Sequence, residues 1–469
     1  MELADIKKTA YTIFKKEINR LHILPESGSN RKYYRVFFEN GETIIAAVND
    51  YLNENKAFVS FARHFHKEGL PVPEILHYDE KSKLYFISDL GDTTLFSYLS
   101  SKERNPKQTL AFYKEVVEYL LQFQFCKAPD YSLCFPRSKF DTTSMMWDLN
   151  YFKYYFLKLA NIPFDEQKIE DDFIKLCKEL NNAPSNFFLY RDFQSRNIMI
   201  KNENLFFIDF QGGREGQLQY DLASLLYDAK ANLSDDFREE ILSYYLQKLN
   251  ERNPELSKNF KSSYYLFALL RIMQAMGAYG YRGFYEKKTH FIQSIPYAAE
   301  NIKNIIPKNN FKETFPELFK SLNFIAENFT KNKAATSDDG ILTVNISSFS
   351  FKKGYPLGDA EHGGGFVFDC RSLPNPGREE RFKTFNGKDK CIIDWLSEKN
   401  EVAEFLETCS KLIFSSIDNY LQRKFNLISV SFGCTGGQHR SVYCTEQTAK
   451  KINAKYSKKV KIIIQHREL

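Results

Sequence analysis

Residues 190–209 read YRDFQSRNIMIKNENLFFID, and three of their polar positions, Asp192, Asn197 and Asp209, decide the reading. An Asp followed five residues later by an Asn, with a second Asp after a short hairpin, is the spacing of a phosphoryl-transfer site. The chemistry explains the residue types. The first carboxylate takes or orients the proton of an attacking hydroxyl, while an amide oxygen and a second carboxylate suit a hard Mg²⁺ ion carrying phosphates. Between these anchors, the apolar runs 198–200 and 205–208 flank Lys-Asn-Glu-Asn. That pattern predicts two strands around a tight turn, which brings Asn197 and Asp209 to the same end. An Asp and an Asn at this separation also recur in ordinary loops, so the surroundings must carry part of the argument.

They do so at 220–226, YDLASLL, and further upstream at 24–35 (LPESGSNRKYYR), 69–76 (GLPVPEIL) and 87–95 (ISDLGDTTL). With these runs the first 330 residues resemble the aminoglycoside phosphotransferase and choline kinase-like superfamily, and within it the bacterial N-acetylmuramate/N-acetylglucosamine anomeric kinases. The resemblance implies an α+β bilobal protein-kinase-like fold using ATP and Mg²⁺ on an amino-sugar substrate. It implies Asp192 as catalytic base, Asn197 and Asp209 as metal ligands, and Asp221 as a buried brace for the loop. It assigns nucleotide contacts to Ser27, Gly28, Ser29, Asn30, Arg35 and Asp89.

The sequence departs from the family in one respect. Residues 36–55 contain no Lys or Arg, and the expected third strand, TIIAAV at 43–48, is apolar after its threonine. The usual strand lysine that touches the phosphates is missing, so Glu54 is expected to lack a cationic partner. Phosphate contacts then fall to residues 27–32, to Arg35 or to metal. A non-catalytic ATP-binding sensor is the alternative this departure raises. At the catalytic loop, Arg191 stands where related enzymes often have His.

The chain has 469 residues, 43% of them apolar, with 43 Phe and 28 Tyr, ample for two or three buried cores and incompatible with disorder. No apolar run approaches a membrane span, and the first residues, MELADIKK, do not begin a signal peptide. A soluble, cytoplasmic protein with no membrane partner is expected. Eight scattered cysteines without Cys-x-x-Cys spacing read as reduced thiols. A net charge of +6 over this length implies neither nucleic acid nor anionic lipid.

Periodicity divides the chain into an N-terminal lobe at 1–92, a helix-rich lobe at 93–330, a linker at 331–340 (KNKAATSDDG) and a smaller α/β domain at 341–469. Helices are expected at 53–67, 107–126, 235–250, 264–279, 394–420 and 441–456, and strands of the last domain at 341–351, 365–370, 427–432 and 460–464.

In that last domain, 429–441 reads SVSFGCTGGQHRS, a strand, a glycine-containing loop and a helix start. Glycines let amides turn inward, a helix N-terminus favours anions, and Arg440 supplies a planar fork for phosphate or carboxylate. With 348–360 (SFSFKKGYPLGDA) and 368–377 (FDCRSLPNPG), the stretch resembles the C-terminal domain of the RNase adapter protein RapZ. That likeness implies a phosphosugar effector of the glucosamine-6-phosphate type, held by Cys434, Thr435, Gly436, Gly437, His439, Arg440 and Arg371. It also implies RNA or protein partners. The six lysines at 450–461 have little aromatic interleaving, so they support RNA binding only weakly. Cys434 and Arg440 also satisfy Cys-x5-Arg, the spacing of cysteine-dependent phosphatases, although Gly433 stands where those enzymes have His.

Overall fold

The computed structural model describes residues 3–25, 31–102, 104–308, 310–330, 341–356 and 365–469. The expected linker and the loop residues Ser27, Gly28, Ser29 and Asn30 lie outside them. The chain divides into two compact units, one formed by residues 1–154, 164–278 and 295–330, the other by 155–163, 279–294 and 331–469.

The first unit opens with five strands: β1 (Ile18–Ile23), β2 (Lys32–Phe38), β3 (Thr43–Val48), β4 (Ile75–Asp79) and β5 (Leu84–Ser88), all antiparallel in the order β1-β2-β3-β5-β4. Strand alternation separates the two faces. Tyr34, Val36, Phe38, Ile44, Ala46, Leu84 and Phe86 pack with Ile6 and Ala10 of the helix Leu3–Phe14. Tyr85, of opposite parity, meets Phe58 of the helix Leu52–Lys67 with ring centroids 5.2 Å apart. That helix buries Ala57, Phe58, Phe61 and Phe65, the positions its periodicity indicated.

Four short strands follow: β6 (Phe187–Leu189), β7 (Ile198–Lys201), β8 (Asn204–Phe207) and β9 (Arg214–Gly216). β6 pairs with β9, and β7 with β8 as the expected hairpin. Phe58 and Phe65 both reach Phe210, the former stacked at 5.0 Å, so the helix Leu52–Lys67 joins the five-stranded sheet to the segment that carries Asp209. The helix expected at 264–279 begins ten residues earlier, at Pro254. Asn253 accepts the Leu256 amide and Pro254 needs no amide partner in a first turn, a start signal present in the sequence.

The second unit holds β10 (Leu342–Ser350), β11 (Gly365–Asp369), β12 (Leu427–Cys434) and β13 (Val460–His466), all parallel in the order β11-β12-β10-β13. The helices Asn400–Gln422 and Arg440–Tyr456 contribute to its core with Ile413, Ile417, Cys444 and Ile452 against Val344, Ile346, Ile428 and Val430. The single helix expected at 394–420 is two, Lys390–Ser397 and Asn400–Gln422, parted at Glu398 and Lys399. Among the described residues, no helix is long and apolar enough to cross a membrane.

Candidate active site

Hairpin register builds the site. Ile198 pairs with Phe207 and the Ile208 amide donates to the Asn197 carbonyl at 3.0 Å, which sets Asn197 beside Asp209. Asn197 Nδ2 donates both to the Asp192 carbonyl at 2.8 Å and to Asp209 Oδ2 at 3.2 Å. One buried amide therefore ties all three polar anchors together. The Tyr190 hydroxyl donates to the Ile208 carbonyl at 2.7 Å, fixing the loop to the hairpin from its other end.

Asp221, fully buried on the helix Leu218–Leu226, accepts the amides of Tyr190 at 2.6 Å and Arg191 at 2.9 Å. Arg191 has φ +82°, a conformation that costs a non-glycine residue about 1–3 kcal/mol and persists only where its surroundings hold it. They do: its guanidinium forms two hydrogen bonds with Asp148 and lies between the rings of Phe140 and Tyr220, 5.1 and 5.0 Å away.

The electrostatics favour a cation at Asp209. Burial and the neighbouring Asp192 push its carboxyl above the ordinary value, against the Gln211 hydrogen bond and the charges of Arg31 and Arg196. A bound divalent ion reverses that balance. The donors fit Mg²⁺: they are oxygens only, and Asn197 uses its nitrogen for the protein bonds, which leaves its amide oxygen for metal. No group of three or more His, Cys, Asp or Glu side chains able to hold a metal occurs among the described residues.

Two residues at this site escaped the sequence reading. Gln211 donates to Asp209 Oδ1 at 2.7 Å and to Glu54 Oε1 at 3.4 Å. Arg271, from the helix Pro254–Tyr279, lies 3.9 Å from Asp192 Oδ1. Arg31, within the run 27–32 read as phosphate contacts, corrects an expectation: Glu54 does have a cationic partner, with Arg31 Nη2 at 2.8 Å from its Oε1. The cation comes from the start of β2 rather than from β3, because Lys32 pairs opposite Val48 and sets the preceding residue beside the turn that leads to Glu54.

Arg35 and Asp89, read as nucleotide contacts, are bonded to each other. Arg35 Nε lies 2.7 Å from Asp89 Oδ2, and its Nη atoms engage Asp92 and the Gly91 carbonyl. They clamp β2 to the segment after β5.

In the second unit, β12 ends at Cys434 and the loop 435–439 leads into the helix Arg440–Tyr456. Gly437, at φ +73°, packs so closely under Glu468 that a Cβ would come within 2.3 Å of its Cγ. Cys434 Sγ accepts the Gly437 amide at 3.2 Å and lies 3.2 Å from Ser441 Oγ. The Arg440 fork is partly committed: Nη1 donates to the carbonyls of Arg371 at 2.8 Å and Leu373 at 3.0 Å, and Nη2 reaches Thr435 Oγ1 at 3.5 Å. His439 contacts the Phe382 carbonyl, Arg371 pairs with Asp369, and a Cβ on Gly436 would meet nothing within 4 Å. The thiol is buried and one edge of the guanidinium holds backbone, which weakens the phosphatase alternative.

Residues 21–255 match the phosphotransferase enzyme family, half of the chain. The chain belongs to that family. Its fold over that region is protein-kinase-like, and its residues 342–469 match the RapZ C-terminal domain. Two relatives, each named a nucleotide-binding protein, match this second region: one from Dechloromonas aromatica, 39% identical over 128 residues, covering 27% of this chain and 42% of its own, and one from Acidithiobacillus ferrooxidans, 38% identical over 128 residues, covering 27% and 40%. The chain thus spans about two-fifths of the length of these curated relatives. Similar solved structures include a Plasmodium vivax ethanolamine kinase (14% identity, TM-score 0.45, 61% of this chain and 82% of that one) and the choline kinase LicA of Streptococcus pneumoniae (14%, 0.43, 63% and 98%). At such scores the fold rests on the strand order above and the family match.

Proposed function

We propose that this phosphotransferase is a cytoplasmic, ATP- and Mg²⁺-dependent kinase acting on a hydroxyl of an amino sugar, joined to a domain that binds a phosphosugar. The observation that carries the kinase reading is the Asn197 side chain, bonded at once to the Asp192 carbonyl and the Asp209 carboxylate. Asp192 accepts the proton of the acceptor hydroxyl as its oxygen bonds to the γ-phosphorus; the bond to the β,γ-bridging oxygen breaks and ADP leaves with those electrons. Asn197 and Asp209 hold Mg²⁺, which when bound neutralises charge on the phosphate oxygens. Gln211 orients Asp209, and Arg271 steadies the carboxylate of Asp192. The amino-sugar class is supported by the resemblance of 24–35, 69–76 and 87–95. In the second domain, Gly436, where a Cβ would meet nothing within 4 Å, leaves the loop 434–439 open to an anion at the start of a 17-residue helix.

ATP turnover across N-acetylmuramate, N-acetylglucosamine, an aminoglycoside and choline tests the reading. Turnover is expected with the N-acetylated sugars, falling on the order of 10²- to 10⁴-fold in Asp192→Asn. Turnover with choline alone would remove the amino-sugar assignment, and an unchanged rate in Asp192→Asn would remove the base.

A further inference from the structure

Only three cationic residues occur between 26 and 55: Arg31, Lys32 and Arg35. Arg35 is held by Asp89, Asp92 and the Gly91 carbonyl. Lys32 is exposed, and strand alternation turns it to the face opposite Arg31 and Tyr33. Arg31 has a different setting. Its side chain is 2% exposed, Nη1 donates to the Tyr33 hydroxyl at 3.0 Å, and the guanidinium lies 5.7 Å from the Phe58 ring centroid. Its partner Glu54 also accepts Asn49 Nδ2 at 2.9 Å, which fixes the carboxylate from a second side.

From there a continuous chain of contacts runs to the metal end of the site, through Glu54 to Gln211 and from Gln211 to Asp209. A buried ion pair is a poor source of stability, because desolvation offsets most of its attraction. A pair aligned on a metal carboxylate has a use in the reaction.

We propose that Arg31, at the start of β2, contacts the α- and β-phosphates of the nucleotide, in place of the missing β3 lysine. The assignment rests on the kinase reading above. Glu54 orients the guanidinium as it would orient a lysine, and the planar fork can bridge two phosphate oxygens where an ammonium offers a point charge.

Calorimetric titration of the full chain with ADP and with adenosine, in wild type, Arg31→Met, Arg31→Gln and Arg31→Lys, tests it. The wild type is expected to prefer ADP. Arg31→Met should weaken ADP about 10- to 100-fold, the size of a lost charged hydrogen bond, and leave adenosine unchanged. Arg31→Gln keeps a donor for Glu54 and should show the same selective loss if the methionine variant does not fold; Arg31→Lys should fall between. A wild-type ratio of ADP to adenosine affinity in the neutral variants, or equal loss of both ligands, overturns the contact. A selective loss of ADP in a protein that phosphorylates no acceptor leaves the contact standing and removes the kinase reading instead.

Discussion

Arg191 and Asp148 form a two-point ion pair, Nη1 to Oδ2 at 2.8 Å and Nη2 to Oδ1 at 2.6 Å, beneath the loop that carries Asp192. Planar matching of guanidinium and carboxylate makes this the geometry in which an arginine cannot be exchanged for lysine without loss. Both side chains are largely buried, so removal of one strands the charge of the other. Asp148→Ala should lower unfolding free energy by about 3–5 kcal/mol, whereas Arg191→Met with Asp148→Leu should recover much of it. Urea denaturation of the set measures this. A single variant within about 0.5 kcal/mol of wild type would show the pair to be dispensable.

Asp221 gives the loop a pH signature. Burial raises its carboxyl to about 7, against the two amides of Tyr190 and Arg191 that favour its ionised form. A folded value above the unfolded one means that the folded state retains a proton the unfolded chain has lost. Stability therefore falls as pH rises between about 4 and 7, by up to about 1.4 kcal/mol per unit. In Asp221→Asn that slope should vanish, with lower stability at pH 5 because the amide NH₂ opposes one of the two backbone donors. Parallel pH profiles of wild type and variant would show that Asp221 does not titrate in this window.

What was legible in the sequence was local. Asn197 and Asp209 are twelve residues apart, and the alternation around Lys201–Asn204 settles their hairpin without reference to the rest of the chain. The strand, glycine loop and helix at Cys434 are read the same way. What was missed crosses the fold. Gln211 meets Glu54 from 157 positions away, and Arg31 reaches Glu54 only because the β2–β3 register sets it beside Asn49. Arg440 looked like a free fork because the carbonyls of Arg371 and Leu373, which occupy one edge, are nearly seventy residues distant.

Gln211 connects that missed network to Asp209, the carboxylate proposed to hold Mg²⁺. It bonds a proposed metal ligand, and groups in such a position typically change metal affinity by 10- to 100-fold. Gln211→Ala should raise the Mg²⁺ concentration for half-maximal ATP turnover by about that factor, with little change in the rate at saturating metal. A rate that stays depressed at saturating Mg²⁺ would mean that Gln211 acts on nucleotide or acceptor instead.

The second domain offers a prediction in which stability and ligand response separate. Arg440 satisfies two backbone carbonyls, so Arg440→Ala leaves buried acceptors unpaired and should lower the melting temperature without any ligand. Thr435 bonds the Ser350 hydroxyl through its carbonyl, and its exposed side chain takes only the 3.5 Å contact from Arg440 Nη2. Thr435→Val should therefore melt close to wild type. If the loop holds a phosphosugar, glucosamine-6-phosphate at 100 times its Kd stabilises the wild type by about 2.7 kcal/mol, and Thr435→Val should lose most of that gain. Differential scanning calorimetry with glucosamine-6-phosphate, glucosamine and inorganic phosphate distinguishes sugar phosphate from anion alone. An equal shift in wild type and Thr435→Val would move the ligand away from this loop.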